Sequence, residues 1–331
     1  MLTAALEGGY AYPAINVTSS QALNAAALGF AQAGSDGIIE ITPGAARYLA
    51  GDPGEAVRGA RALAAFAHEV AGAYPVTIAL HTDHCPPDQV DTFLRPLLAE
   101  GEARRRNGDP PLFNSHMFDG SMLPLEENLR LSSELLDACV AAGVVLELEC
   151  GVVGGEEDAV SAIGVSTERL YTTTDDLLRV AEALGTGERG RYLLAATFGN
   201  VHGVRPPGSV KLRPEILRTG QEALAAARPG AQFAYVFHGS SGSSAEDIRA
   251  AISYGVVKIN MDSDAQYALT RAIADHVLVN YSGVLKVDGG IGDKKAYDPR
   301  VWGKRAESSM AARVTEACEL FGSAGKSLTA T

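Results

Sequence analysis

The sequence predicts a (β/α)₈ barrel, a TIM barrel, in a single domain over residues 1–331, and three observations lead to this fold class. Eight apolar runs of strand length alternate with helical segments, the later runs are nearly continuous in aliphatic residues, and polar clusters follow many of them. An open doubly wound sheet would use the same alternation, but it would concentrate its polar clusters at one crevice. The predicted strands are Tyr12–Val17, Gly37–Ile41, Val76–Leu80, Leu112–His116, Val144–Leu148, Leu193–Phe198, Phe233–Phe237 and Val256–Ile259.

The segments between these strands have helical periodicity, are often rich in alanine, and several begin with Asp, Ser or Pro. The predicted helices include Ser20–Ala33, Pro87–Ala99, Glu126–Ala142, Asp175–Leu184, Pro214–Ala227 and Ala245–Ser253. Two additions to the barrel are expected. The charged stretch Glu100–Asp109 forms an insert before strand 4, and a helical C-terminal extension starts at about Arg300.

Composition narrows the class of protein. A formal net charge of −12 argues against general binding to nucleic acid or to an anionic membrane surface. The longest apolar runs fall far short of the ~20 residues that span a bilayer, and the start of the chain lacks the features of a signal peptide. The four cysteines show no CxxC pair, which is typical of reduced thiols. We therefore expect a cytoplasmic protein with neither nucleic acid nor membrane as partner.

Three of the seven histidines stand where a predicted strand meets its loop, namely His84, His202 and His238. Three neutral imidazoles leave one tetrahedral position open, which is the arrangement of a catalytic zinc ion. A single histidine of this kind is more often a hydrogen-bonded core residue, but the shared placement of three favours a metal site. His81 and His116, within or at the end of strands, are weaker candidates.

Carboxylates gather at the same strand ends. Asp83 precedes His84, Asp119 follows the fourth strand, and Glu147 and Glu149 close the fifth. Burying so many like charges is costly unless cations balance them or their pKa values rise. The acidic loop at residues 154–158 comes next, and by itself it would be interpreted as a solvated surface loop. Its position after the fifth strand favours a functional site.

Small residues follow the last two strands, in the turns Gly239–Ser244 and Asn260–Asp264. Backbone N–H groups at the start of a helix attract anions, and the loops after strands 7 and 8 are the usual phosphate site of such barrels. A Gly/Ser turn alone is a weak signal, so its position supplies the specificity.

Over nearly its whole length the chain resembles the class II, metal-dependent fructose-bisphosphate aldolases, in their larger, class IIA subtype. The motifs that carry the resemblance are Leu80–Cys85, Ser115–Met117, Gly151–Asp158, Phe198–Val204, Phe237–Gly239 and Tyr297–Arg300. The resemblance implies a lyase of glycolysis and gluconeogenesis that reversibly cleaves fructose 1,6-bisphosphate to dihydroxyacetone phosphate and glyceraldehyde 3-phosphate. The reaction would proceed through a zinc-stabilised enediolate.

The same resemblance implies a role for each matching residue. The zinc ligands would be His84, His202 and His238, and the catalytic residues would be Glu157, as the base at carbon, and Asp83, which exchanges the proton on the aldehyde oxygen. Asp119, Glu149 and Glu156 match positions that can hold a second divalent cation, and a monovalent cation is a further candidate. The substrate-binding positions would be Asn16, Thr42, Gly203, Gly239, Ser241, Asn260, Asp262, Ser263 and Arg300.

In this family the arginine at the position of Arg300 reaches across from a neighbouring subunit. The resemblance therefore also implies a homodimer or a homotetramer. The expected partner is a phosphorylated ketose or triose substrate.

Some positions depart from the family pattern. Pro206 replaces the usual lysine after the sixth strand. Ser240 and Ala45 each replace a glycine, and Pro43 stands before the Gly44-Ala45 turn that follows the second strand. These changes leave the metal chemistry intact and keep an alternative open, a related class II aldolase that joins dihydroxyacetone phosphate to a different aldehyde. Two further alternatives are a zinc hydrolase and a barrel that binds sugar phosphates without turnover.

Overall fold

The computed structural model confirms the predicted barrel. It describes residues 1–51, 54–153, 156–157, 160–161, 170–201, 211–285, 290 and 292–329. Eight parallel strands pair in the closed order β1-β8-β7-β6-β5-β4-β3-β2. Their bounds are Tyr12–Asn16 (β1), Gly37–Ile41 (β2), Ile78–Cys85 (β3), Ser115–Phe118 (β4), Val145–Cys150 (β5), Tyr192–Ala196 (β6), Tyr235–Phe237 (β7) and Val256–Met261 (β8). Two short antiparallel strands, Glu156–Glu157 and Val160–Ser161, lie outside the barrel.

Helices follow the strands around the barrel. Their bounds are Leu2–Gly8 (α1), Ser20–Ala33 (α2), Pro43–Leu49 (α3), Ala56–Ala71 (α4), Arg95–Arg106 (α5), Leu125–Ala142 (α6), Thr174–Leu184 (α7), Glu215–Ala227 (α8), Ala245–Ser253 (α9), Ser263–Val279 (α10), Tyr281–Val284 (α11), Lys294–Tyr297 (α12) and Pro299–Leu320 (α13). A 3₁₀ turn at Pro87–Gln89 and a π turn at Val90–Leu94 lead into α5. Among the described helices, none is both long and apolar enough to cross a bilayer.

Two strands differ from their predicted bounds by three or more residues at one end, and five others differ by one or two residues. The third continues to Cys85 rather than ending at Leu80, and the fourth starts at Ser115 rather than Leu112. Polar residues usually end a buried strand, but those of β3 have hydrogen-bond partners on the neighbouring strand: Thr82 Oγ1 lies 2.7 Å from His116 Nδ1. The predicted insert Glu100–Asp109 is mostly the second half of α5, and the C-terminal extension is the helix α13.

The interior of the barrel has an apolar lower layer and a polar upper layer. The lower layer includes Tyr12, Ile38 and Val236, and α1 covers it with Ala5. A larger apolar core lies between the strands and the outer helices. Polar side chains are buried above the lower layer, toward the carboxyl ends of the strands, where catalytic groups of such barrels lie.

The C-terminal segment is hydrogen-bonded to the loop before β2. Asp36, which precedes β2, accepts hydrogen bonds from Thr77 N at 2.8 Å, Ser327 Oγ at 2.7 Å and Leu328 N at 3.0 Å. Helix α13 packs closely on α2, where a Cβ on Gly29 would lie 2.6 Å from Val314 Cβ. Residues far apart in the sequence therefore close the barrel together.

Candidate active site

His84 adopts an unusual backbone conformation at the end of β3. Its φ of 33° makes it the one non-glycine residue with a positive φ among the described residues. The register between β3 and β4 shifts at the same place, between Thr82 and Cys85. A bulge of this kind re-aims a side chain, and strained backbone persists where the surroundings hold it in place. Here the bulge directs the imidazole of His84 toward β7.

The imidazoles of His84 and His238 lie side by side, with ring centroids 4.7 Å apart. His84 Nδ1 lies 2.9 Å from Asp119 Oδ2, and His238 Nδ1 lies 3.1 Å from Glu149 Oε2. His238 Nε2 is 2.9 Å from Glu147 Oε1. Histidines oriented by buried carboxylates are typical of metal centres, because the carboxylate fixes the tautomer and the direction of the ring.

The residues present fit a zinc-type ion. Nitrogen and oxygen donors of Asp83, His84 and His238 all lie within 4.8 Å of one another, and a second such group is His84, Asp119 and Glu149. Imidazole nitrogen with carboxylate oxygen is a donor set that zinc accepts. The predicted ligand His202 lies outside the described residues, as do Gly203 and Pro206, and the side chains of Glu156 and Glu157.

The charges at this site are strongly coupled. Burial favours the neutral forms, but the hydrogen bonds that His238 donates to Glu147 and Glu149 raise its pKa to about 9. For Glu147 the effect of burial is outweighed by the charges of Lys258, His81 and His238, which lower its pKa to about 2. For Asp119, burial is outweighed by the hydrogen bond of His84, which lowers its pKa. These groups are therefore arranged as ion pairs.

Asp83 is fully buried, and a carboxylate oxygen lies within 4.8 Å of ring nitrogens of both His84 and His238. Asn260 Nδ2 donates to both of its carboxylate oxygens at 3.2 Å, and Asn16 Nδ2 donates to Oδ2 at 3.1 Å. Burial opposes ionisation, but the charge of His84, the proximity of His81 and the charge of Lys258 lower the pKa of Asp83. The carboxylate is thus held in one position and kept ionised.

Two polar residues of this layer, Lys258 and Glu40, were not predicted from the sequence as site residues, and His81 was predicted only as a weaker candidate. Lys258 and Glu40 are fully buried, and Lys258 Nζ lies 3.0 Å from Glu40 Oε2. Burial and the charge of Asp83 raise the pKa of Glu40 to about 8, although Lys258 opposes the shift. His81 is also buried, with Nδ1 2.8 Å from Ser115 Oγ. The one sequence signal for Lys258 was its spacing, two residues before Asn260 in the same strand.

A cavity of about 220 Å³ brings several predicted substrate residues together, lined by Asn16, Val17, Thr18, Thr42, Gly44, Ala45, Tyr48, Asp262 and Gln266. Ser263 is the first residue of α10, next to this cavity. Thr42 Oγ1 caps α3 by accepting from Ala45 N at 3.1 Å. A larger cavity of about 490 Å³ near Leu6 and Gly255 is at the opposite end of the barrel and contacts none of the predicted site residues.

The turn after β7 joins the site through its backbone. Gly239 has a φ of 62°, and a Cβ there would lie 2.5 Å from Val201 O, so glycine is required. Ser240 Oγ donates to Asn260 O at 2.9 Å, which links this turn to the end of β8. Ser241 follows in the same turn and is partly buried.

Arg300 lies away from these groups in the single chain. Its side chain is 85% exposed at the start of α13, and it donates to Asp298 Oδ2 at 2.6 Å.

The sequence and the fold match those of known proteins over nearly the whole chain. The family model "Fructose-bisphosphate aldolase class-II" matches residues 1–326. A fructose-bisphosphate aldolase of Streptomyces galbus is 58% identical over 99% of this chain and 96% of its own length. The fructose-bisphosphate aldolase of Mycobacterium tuberculosis is 55% identical over 99% of this chain and 96% of its own length. The crystal structure of fructose-bisphosphate aldolase from Campylobacter jejuni superposes with a TM-score of 0.84 at 36% identity, covering 98% of this chain and 94% of that one. The chain therefore belongs to the class II fructose-bisphosphate aldolase family, whose members are carbon–carbon lyases.

Proposed function

We propose that the protein reversibly cleaves fructose 1,6-bisphosphate to dihydroxyacetone phosphate and glyceraldehyde 3-phosphate, with zinc bound by His84, His202 and His238. The observation that carries this proposal is the joint placement of two buried, carboxylate-oriented imidazoles next to Asp83. A sugar-binding barrel without turnover has no need of a buried carboxylate held by two amide donors.

Zinc, when bound, would polarise the ketone oxygen of the substrate. Asp83 would accept the proton from the C4 hydroxyl as the carbon–carbon bond breaks, and it would return that proton in the condensation direction. Glu157 would exchange the proton at carbon. Asn16, Thr42 and Asp262 line the cavity beside Asp83 and would orient the phosphorylated substrate. The other proposed substrate contacts are Gly203, Gly239, Ser241, Asn260, Ser263 and Arg300.

Asp119 and Glu149 would serve first to orient the two imidazoles. Together with Glu156 they are also the proposed ligands of a second divalent cation, which their negative charge would attract. A monovalent cation near the substrate phosphate remains part of the proposal.

The alternative with a different aldehyde depends on the turns that depart from the family pattern. The hydroxyl of Ser240 is used internally, since it donates to Asn260 O, and the residue is only 6% exposed. Ala45 is 8% exposed, and its N–H is bonded to Thr42. The added hydroxyl of Ser240 is thus accommodated within the fold, which favours fructose 1,6-bisphosphate, whereas Ala45 lines the proposed substrate cavity.

A homo-oligomer in the cytoplasm is part of the proposal. Large apolar side chains stay exposed on α10 and α11, including Tyr267, Leu278, Val279 and Tyr281. Patches of this kind mark protein interfaces. If Arg300 acts on a neighbouring subunit's substrate, mixing an Arg300→Ala chain with an Asp83→Ala chain should recover part of the activity. Sedimentation would distinguish a dimer from a tetramer.

The central experiment loads purified protein with zinc and identifies the products from fructose 1,6-bisphosphate by NMR. Cleavage to the two triose phosphates, lost with a chelator and restored by zinc, is expected. Absence of that cleavage, with condensation of dihydroxyacetone phosphate onto another aldehyde in a panel, would replace the substrate assignment. Release of products formed by water attack would indicate a hydrolase.

A further inference from the structure

Lys258 is a fully buried lysine in the interior of the barrel. It lies two residues before Asn260 on β8, so both side chains point to the same side of the strand, into the barrel. A lysine is seldom buried completely without charged partners. Its position below the candidate metal centre makes its contacts informative.

The ammonium group of Lys258 has three partners. The shortest contact, 2.6 Å, is to Asn260 Oδ1, and the two carboxylate contacts are 3.0 Å to Glu40 Oε2 and 3.1 Å to Glu147 Oε2. If this lysine served only to balance charge, its closest partner would be expected to be a carboxylate. The short contact to a neutral amide oxygen therefore points to an additional task.

The contact determines which way the amide of Asn260 faces. An ammonium group only donates hydrogen bonds, so it selects the oxygen of the amide. An ionised carboxylate only accepts, so it selects the NH₂ group, and Asn260 Nδ2 does lie 3.2 Å from both oxygens of Asp83. Lys258 and Asp83 thus hold opposite ends of one amide group.

A second path leads from Lys258 to Asp83. Glu40, which contacts Lys258 through Oε2, accepts a hydrogen bond through Oε1 from Asn16 Nδ2 at 3.0 Å. The same Asn16 amide nitrogen donates to Asp83 Oδ2 at 3.1 Å. Lys258 therefore orients the amide of Asn260 directly, and it contacts Glu40, which accepts from the amide of Asn16.

We propose that Lys258 is a positioning residue for the aldol cleavage, which fixes the amide of Asn260 and thereby the carboxylate of Asp83. This inference rests on the proposed function, because it assigns Lys258 a part in the proton transfer at Asp83. It predicts a selective effect. Cleavage of the carbon–carbon bond needs Asp83, whereas exchange of the carbon-bound proton of dihydroxyacetone phosphate depends on a different base.

The test compares two double variants of equal charge, Glu40→Gln/Lys258→Met and Glu40→Gln/Lys258→Gln. Each replaces Lys258 and Glu40 by neutral residues, so the two double variants have the same charge in the barrel. They differ in that glutamine keeps an N–H donor for Asn260 Oδ1 and methionine does not. For both, and for Glu40→Gln alone, we would measure kcat for cleavage, deuterium exchange into dihydroxyacetone phosphate, zinc content and the crystal structure.

Relative to Glu40→Gln, the methionine variant is expected to lose at least about tenfold in kcat for cleavage, while proton exchange changes less than about threefold and zinc content stays constant. The glutamine variant should recover part of the loss. Equal activity of the two double variants, or a parallel loss of cleavage and exchange, would overturn the proposal in favour of charge balance alone.

The crystal structures give a readout that is independent of turnover. In the methionine variant the Asn260 amide should rotate and the Asp83 carboxylate should move. If both stay in place, the proposal fails, even if the wild-type protein proves not to cleave fructose 1,6-bisphosphate. Absence of wild-type cleavage is in turn a failure of the proposed function and is seen before any variant is made.

Discussion

His84 Nδ1 and Asp119 Oδ2 lie 2.9 Å apart, and both side chains are almost completely buried. Because this carboxylate orients the ring, the Asp119→Asn variant should bind zinc about 10- to 100-fold more weakly, which competition with a chromogenic chelator would measure. The control is Asp91→Asn on the π turn, whose side chain is 85% exposed. An unchanged zinc affinity in folded Asp119→Asn protein would show that this hydrogen bond does not support the metal.

Zinc binding should release protons near neutral pH. His238 has a pKa of about 9 in the metal-free protein, and a metal ligand must be neutral, so its proton must leave below that pH. The apparent zinc affinity should therefore rise by up to about tenfold per pH unit from this residue between pH 6.5 and 8.5. Calorimetry at pH 7.5 in buffers of different ionisation enthalpy would count the protons. A count of zero would contradict the prediction.

The buried His116 should make the protein sensitive to acid. Burial, together with the charge of His81, lowers the pKa of His116 to about 3, against about 6.5 in an unfolded chain. Between these values the unfolded chain binds more protons, so the stability from this residue is present above pH 6.5 and is lost as the pH falls toward 3.

The matched variant is His116→Asn, because asparagine can keep the hydrogen bond that His116 Nδ1 makes with Thr82. From pH 7 to pH 4.5 the metal-free wild type should lose on the order of 1–3 kcal/mol more of its free energy of unfolding than the variant. Urea unfolding at the two pH values measures the difference. Equal losses would assign the acid sensitivity to other groups.

Gly59 of α4 allows close packing against α3. A Cβ at this position would lie 1.8 Å from Ala46 O, which is backbone and cannot yield without moving α3. Gly59→Ala should destabilise the protein by about 1–3 kcal/mol or more and should weaken substrate binding, since α3 follows Thr42. Gly303→Ala is the control, because no described atom lies within 4 Å of its Cβ. That change should be neutral or stabilising by about 0.5–1 kcal/mol, as judged by thermal unfolding.

The alternation of strands and helices could be predicted because its signals are local in the sequence: apolar runs and the turn residues between them. The length of β3 could not. His81, Thr82 and Asp83 resemble the polar end of a strand until their partners are known, and those partners come from β1, β4 and β8. A polar segment stays in a buried strand only when such distant groups satisfy it.

The lower part of the site, around Lys258, could not be predicted for the same reason: its partners are distant in the sequence. Lys258 and Glu147 are 111 residues apart in the sequence but in contact in the barrel. No spacing rule connects two residues on non-adjacent strands, and a single lysine in a strand is usually interpreted as a surface residue. The histidines were visible because three of them recur at equivalent places in the repeating βα pattern.

The seam of the barrel has a consequence for how the protein is made. Strand β1 pairs with β8, and the carboxylate of Asp36 accepts hydrogen bonds from Ser327 and Leu328 near the end of the chain. At the usual pace of a ribosome, β1 emerges on the order of 10–50 s before β8. During that interval the growing sheet has two open edges, the state in which strands associate with other chains. The unfinished sheet is therefore more exposed to aggregation than the closed barrel, and we expect any dependence on chaperones to be greatest before residue 256 is made.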